Sequence, residues 1–225
     1  MTAPGPTFLY LHGFASSPAS RKARAFVAWG TARDLRVEAL DLRVPSFEHL
    51  RLSAMKRRVR EAIDAAGGAR ARAVLVGSSL GGLTACRVAE EEPRVAALVL
   101  MAPAFRLAER WEERLGAEAW ERFRREGAIE VDDHATGGRA TVDFGFVEEL
   151  ARLDGREGPD VRVPTLIVHG TRDDVVDVDR SRRWAAGKRH VRLIEVDDDH
   201  ELAASIPRIL AESEAFLGPF LGLPR

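Results

Sequence analysis

A chain of 225 residues can bury a full hydrophobic core, and the expectation is a single domain, 1–225, carrying an insertion. A hydrophobic fraction of 45%, a charged fraction of 31% and a net charge of −1 describe an ordinary soluble protein and give no support for a nucleic-acid or anionic-membrane partner. The single cysteine, Cys86, excludes an internal disulfide. With no apolar run of bilayer-spanning length and no basic leader before Thr7, the expected location is the cytoplasm.

Residues 7–11 (Thr7-Phe8-Leu9-Tyr10-Leu11) are apolar throughout and end at His12-Gly13, which predicts a buried strand. Ser20 is placed to N-cap a helix reaching about residue 33, and 35–42 reads as the next strand. Pro45-Ser46 is expected to open an amphipathic helix that runs to about 66 and closes at Gly67-Gly68. Its basic run, Lys56 to Arg60, alternates with apolar residues and reads as a solvated helix face. Strands are expected at 71–76, 95–101, 163–168 and 190–196, with helices at 79–92, 178–186 and 201–217. Strands apolar on both faces and separated by helices predict a three-layer α/β/α sandwich around a mostly parallel sheet of about six strands.

The alternation breaks once, between 104 and 160. That interval is charged and holds Trp111, Trp120, Phe123, Phe144 and Phe146. It reads as a lid or cap insertion of two short helices, a hairpin near 128–143 and a helix from about 145. Trp111, Trp120 and Phe123 are either its local core or the wall of a substrate site.

The chemistry centres on Arg72-Ala73-Val74-Leu75-Val76-Gly77-Ser78-Ser79-Leu80-Gly81-Gly82-Leu83. A strand ends in a serine framed by glycines, and a helix begins at once: G-x-S-x-G in the strand–turn–helix setting of a nucleophile elbow. A serine hydroxyl needs a base, and the base needs an orienting acid. The fifth principal strand is followed by the acidic pair Asp173-Asp174. The sixth is followed by Asp197-Asp198-Asp199-His200. An oxyanion needs two backbone donors. Leu80 N–H is one by the geometry of the elbow, and Phe14 N–H, after Gly13, is the simplest second. His49, His134 and His190 stand alone with no metal-ligand spacing, so no metal is expected. Asp197 to Asp199 reads as a solvated loop, with Asp198 or Asp199 as the triad acid the lesser alternative.

These motifs resemble the α/β-hydrolase superfamily over nearly the whole chain, including the order Ser, Asp, His. The opening Leu9-Tyr10-Leu11-His12-Gly13-Phe14-Ala15-Ser16-Ser17-Pro18-Ala19-Ser20-Arg21-Lys22-Ala23 is similar to the small bacterial YqiA-like esterases. The Gly77-to-Gly82 elbow and the lid layout also resemble mitochondrial depalmitoylating thioesterases. The resemblance implies H-G-x-x-D at His169-Gly170-x-x-Asp173, which selects Asp173 as the acid and leaves Val176 as an apolar anchor. Asp177 replaces the usual proline of that turn and could N-cap the next helix. It also implies that His12 and His169 pack loops.

The expected activity is hydrolysis of small-molecule carboxylic esters or thioesters through an acyl-enzyme, with Ser79 as nucleophile, His200 as base and Asp173 as acid. The chemistry requires no cofactor. The alternatives are a serine peptidase of the same fold and a binding or carrier protein that keeps the fold without catalysis.

Overall fold

The alternating runs fold into a six-stranded parallel sheet in the computed structural model, which describes residues 5–68, 71–154 and 158–221. In chain order the elements are β1 (Thr7–Leu11), α1 (Arg21–Thr31), β2 (Val37–Leu40), α2 (Leu52–Gly67), β3 (Ala73–Ser78), α3 (Leu80–Ala89) and β4 (Val95–Met101). An inserted stretch follows: α4 (Leu107–Glu126), β5 (Ala128–Asp133), β6 (Gly138–Asp143) and α5 (Phe144–Asp154). The sheet resumes with β7 (Thr165–Gly170), α6 (Val178–Ala185), β8 (Val191–Val196) and α7 (Ile206–Leu221). Residues 155–157 of the expected insertion lie outside the described residues.

The strand order is β2-β1-β3-β4-β7-β8. Successive side chains of a strand point to opposite faces, so a strand apolar at every position feeds two cores. Leu9, Leu11, Leu75, Leu98, Leu100 and Ile167 pack with α2, α3 and Trp184 of α6. Phe8, Tyr10, Val74, Val76, Val99 and Val168 pack with Phe26 and Trp29 of α1 and Ile209 and Leu217 of α7. Each such side chain, fully buried, stabilises the fold by roughly 1.5–3 kcal/mol. The three layers expected from the sequence are therefore present.

The strands are in register at their carboxyl ends: Leu11 pairs with Gly77, Ser78 with Met101, Met101 with Val168, and Gly170 with Val196. The loops after β1, β3, β7 and β8 consequently emerge along one edge. The chain goes outward from β1 to β2 and returns to β3 on the other side of β1. The resulting crevice is where open α/β sheets place their sites.

Two helix starts differ from the sequence expectation. The first, expected at Pro45-Ser46, begins at Leu52. Residues 43–51 are committed elsewhere: Arg43 holds Asp133, His49 and Arg51 hold Asp143, and the Glu48 carbonyl accepts from Asp143 N–H. The last helix, expected from Glu201, begins at Ile206. Leu202 stands in its way at φ +54, outside the helical region, with its side chain wholly buried. Within the inserted stretch, the two expected helices are one element broken at Gly116, whose φ of 72 and ψ of 164 are not helical. The hairpin pairs Ala128 with Asp143 through Asp133 with Gly138.

Candidate active site

Ser79 links β3 to α3 in a strained conformation, φ 53 and ψ −117, of a kind that costs about 1–3 kcal/mol unless its surroundings fix it. They do: Ser79 N–H donates to the Met101 carbonyl at 2.9 Å, and its own carbonyl accepts from Gly82 at 2.9 Å and from Leu83 and Ala104 at 3.1 Å each. The flanking glycines are required by space. A Cβ on Gly77 would strike the Gly81 carbonyl, and one on Gly81 would strike the carbonyls of Leu11 and His12.

His200, in the loop after β8, sits with Nε2 3.1 Å from Ser79 Oγ and Nδ1 2.7 Å from Asp173 Oδ2. Three groups separated by up to 121 positions in sequence thus lie in one hydrogen-bonded line. The Asp173 side chain is fully buried. Its Oδ1 accepts from the amides of Val175 at 2.9 Å and Val176 at 2.7 Å. Burial works to raise the Asp173 pKa. Hydrogen bonds from His169 and His200, the charge of His200 and the Val176 amide outweigh it and hold the carboxyl well below the usual carboxylate range. Asp174, by contrast, is exposed. Val176 is buried, and Asp177 caps α6 by accepting from Asp179 N–H.

His169 does more than pack a loop. Its Nε2 lies 3.1 Å from Asp173 Oδ2 and 2.9 Å from the Val176 carbonyl, while Nδ1 lies 2.8 Å from Ser181 Oγ. A neutral ring carrying its proton on Nε2 satisfies all three, with the serine hydroxyl donating to Nδ1. The sequence held a signal for this contact, the four-residue spacing from His169 to Asp173. Asp198 also departs from expectation. It is buried rather than solvated, and its carboxylate accepts from Asp199 and Ser205 N–H at 2.9 Å each. It therefore braces the loop on the approach to His200.

The two expected oxyanion donors, Phe14 N–H and Leu80 N–H, have no protein acceptor among the hydrogen bonds of the described residues. Leu80 heads α3, where amides lack intrahelical partners. The Phe14 amide is set by His12. The His12 ring accepts from Leu42 N–H at Nε2, 3.0 Å, and donates from Nδ1 to the Gly13 carbonyl, 2.8 Å. A peptide unit is planar and trans, so fixing the Gly13 carbonyl fixes the Phe14 N–H that points the opposite way. Burial pulls the His12 pKa below the ordinary histidine value, consistent with this neutral ring. A cavity of about 10 Å³ lies behind these residues, bounded by Phe14, Leu42, Phe47, Met55 and Leu80 among others. It has room for one water-sized or methyl-sized group.

A family model described as "Uncharacterised protein family (UPF0227)" matches residues 7–217. The chain belongs to that family. No curated protein matches it. Among solved structures, alpha/beta hydrolase domain-containing protein 10 from mouse superposes with a TM-score of 0.79 at 21% identity, over 97% of this chain and 92% of that one. Est1E from Butyrivibrio proteoclasticus gives 0.77 at 20% identity over 98% and 90%, and has also been solved with ferulic acid bound. The esterase domain of a Rhodothermus marinus protein gives 0.71 at 20% identity over 98% and 90%. At these identities the likeness establishes the fold, which is that of the α/β hydrolases.

In this UPF0227 chain the inserted stretch is built around its own aromatic residues. Phe123 is buried, with Trp111, Trp120 and Phe144 at ring-centroid distances of 5.9, 6.3 and 5.0 Å. Of the three expected candidates for a substrate wall, Phe123 offers no surface to a ligand in this conformation. Trp111 and Trp120 are half-buried, and Trp111 stands edge-on to Phe14 at 5.3 Å. Among the described residues no group of three or more His, Cys, Asp or Glu side chains is arranged to hold a metal, and no helix is long and apolar enough to cross a membrane.

Proposed function

We propose that this chain is a serine hydrolase that cleaves carboxylic esters or thioesters through an acyl-enzyme, with the segment 104–160 as its lid. The observation that carries this reading is the line from Ser79 Oγ to His200 to Asp173, at 3.1 and 2.7 Å. Ser79 Oγ attacks the acyl carbonyl while His200 Nε2 takes its proton. The oxyanion forms against the amides of Phe14 and Leu80. Asp173 holds the Nδ1 proton in place and stabilises the imidazolium. Collapse breaks the bond to the alcohol or thiol, which leaves with the proton from His200. Water, deprotonated in turn by His200, then releases the acid and regenerates Ser79.

The solved esterases of the same fold support an ester substrate. If the cavity lined by Phe14 and Leu80, the two proposed oxyanion donors, receives the acyl group, its size fits a short one. A fluorophosphonate probe tests the nucleophile: it should label Ser79, and Ser79→Ala should take no label and lose hydrolysis by several orders of magnitude while staying folded. A folded wild-type protein that resists the probe and cleaves none of a panel of p-nitrophenyl esters and acyl thioesters would be a binding protein instead. Across that panel kcat/KM should be greatest for acetyl or propionyl and should fall by octanoyl. A rise with chain length would contradict the short-acyl assignment.

A further inference from the structure

Lys22, on the buried face of α1 beside Ala23, Phe26 and Trp29, is a cation where an apolar side chain would serve packing. Its side chain is 10% exposed. Burying an ammonium is costly unless it is paired and hydrogen-bonded. Its short contact is with a backbone atom, the carbonyl of Glu201, at 2.8 Å. The Glu201 carboxylate lies further off, at 3.8 Å, and is 74% exposed. The contacted carbonyl belongs to the residue directly after His200. There the chain makes a tight turn, with Leu202 N–H donating to the Asp199 carbonyl at 3.2 Å and Leu202 held at φ +54. His200 is therefore pinned on both sides, by the Asp198 carboxylate before it and by the Lys22 ammonium after it.

We propose that Lys22 is a positioning residue for the base: its ammonium fixes the Glu201–Leu202 peptide, one residue beyond His200, and so keeps the imidazole in line between Asp173 and Ser79. The loop after β8 brings Asp198, Asp199 and Glu201 toward Lys22, and the turn after β7 brings Asp173. His200 itself faces Asp173 and Ser79. Burial pulls the Lys22 pKa below the usual lysine value, while the four carboxylates work against that shift.

The inference rests on Ser79 being the nucleophile, so the test measures both. Fluorophosphonate labelling rates and p-nitrophenyl acetate kinetics are compared, across pH, for the wild type, Ser79→Ala, Lys22→Met and Lys22→Arg. Lys22→Met keeps the stem and removes the donor and the charge. It should slow labelling and kcat by about 10- to 100-fold, the scale of a misplaced catalytic group, with KM within about twofold. Lys22→Arg should recover labelling to within about threefold. If Lys22→Met does not fold, Lys22→Gln, shorter and uncharged, should still slow labelling and kcat by about tenfold with KM within about twofold. Folded Lys22→Met or Lys22→Gln protein with wild-type labelling and kcat overturns the proposal, as does lowered melting temperature alone. A wild type that labels no faster than Ser79→Ala overturns the hydrolase reading and this inference together.

Discussion

At the scale of single residues, the acidic pair after β7 forces a choice, because adjacent residues of a turn cannot both face one imidazole. Asp173 is buried against His200, His169 and two amides, whereas Asp174 is exposed and, among the described residues, only its backbone carbonyl is engaged, by Arg110. Asp173→Asn should lower kcat by orders of magnitude, since an amide neither fixes the tautomer nor stabilises the imidazolium. Asp174→Asn should change kcat by less than about tenfold. Steady-state kinetics on p-nitrophenyl acetate decide between them, and a dead Asp174→Asn enzyme would move the acid by one position. His169 belongs to the same argument. Its ring is one of the donors that keep the Asp173 carboxylate ionised, so His169→Phe should fold and lose about tenfold in kcat at pH 7. Because Asp173 is held ionised well below neutral pH, it should add no ionisation of its own to the acid limb of activity. A limb that rises with two protons would assign Asp173 a titrating role.

At the scale of elements, the proposed lid is fastened to the sheet from both sides. On the β2 side, Arg43 forms a two-pronged pair with Asp133, Arg51 and His49 hold Asp143, and Ser53 bonds Glu149. On the opposite side, Arg110 of α4 donates to the carbonyls of Asp174 and Val175, in the turn that carries Asp173. The lid aromatic residues then divide by burial. Phe123 is 1% exposed, so Phe123→Ala should cost roughly 3–5 kcal/mol of stability. Trp111 is half-buried against Phe14, the residue whose amide is a proposed oxyanion donor. Trp111→Ala should open space there and raise kcat/KM for hexanoyl over acetyl esters by about tenfold. Thermal melts and an acyl-chain series on both variants test this. Unchanged selectivity in Trp111→Ala, with a large loss of stability, would make that ring simple packing.

For the whole molecule, what was legible in the sequence was local, and what was hidden depended on distant partners. The strands announce themselves because a run such as Ala73–Ser78, buried at every position, has few other places to go. The elbow is legible because Gly77, Ser79 and Gly81 lie within five residues. The start of α2 was missed because residues 43–51 bond to groups some 90 positions away. The contact behind the proposed role of Lys22 was hidden similarly, spanning 179 positions, whereas the Asp198 carboxylate bonds to Asp199 and Ser205 close in sequence and was masked by the run of three aspartates. These long-range polar contacts make a joint prediction about acid. Asp133 is buried against Arg43, whose hydrogen bonds outweigh burial and lower its pKa from 3.8 to about 2. The Asp173 pKa is lowered as well. A carboxyl with a depressed folded-state pKa contributes stability above its unfolded pKa and loses it as pH falls through the folded value. The melting temperature should therefore fall steeply between about pH 4 and pH 2. Asp133→Asn removes the charge and one of the two acceptors that meet Arg43, which should cost roughly 3 kcal/mol at pH 7. For a chain of this size that is about 6–12 °C. The same variant should lose part of the acid slope, because one of the groups that titrates on unfolding has been removed. Melts of wild type and Asp133→Asn from pH 2 to 7 test both statements, and parallel acid slopes would show that the Arg43–Asp133 anchor contributes nothing to the acid sensitivity of the fold.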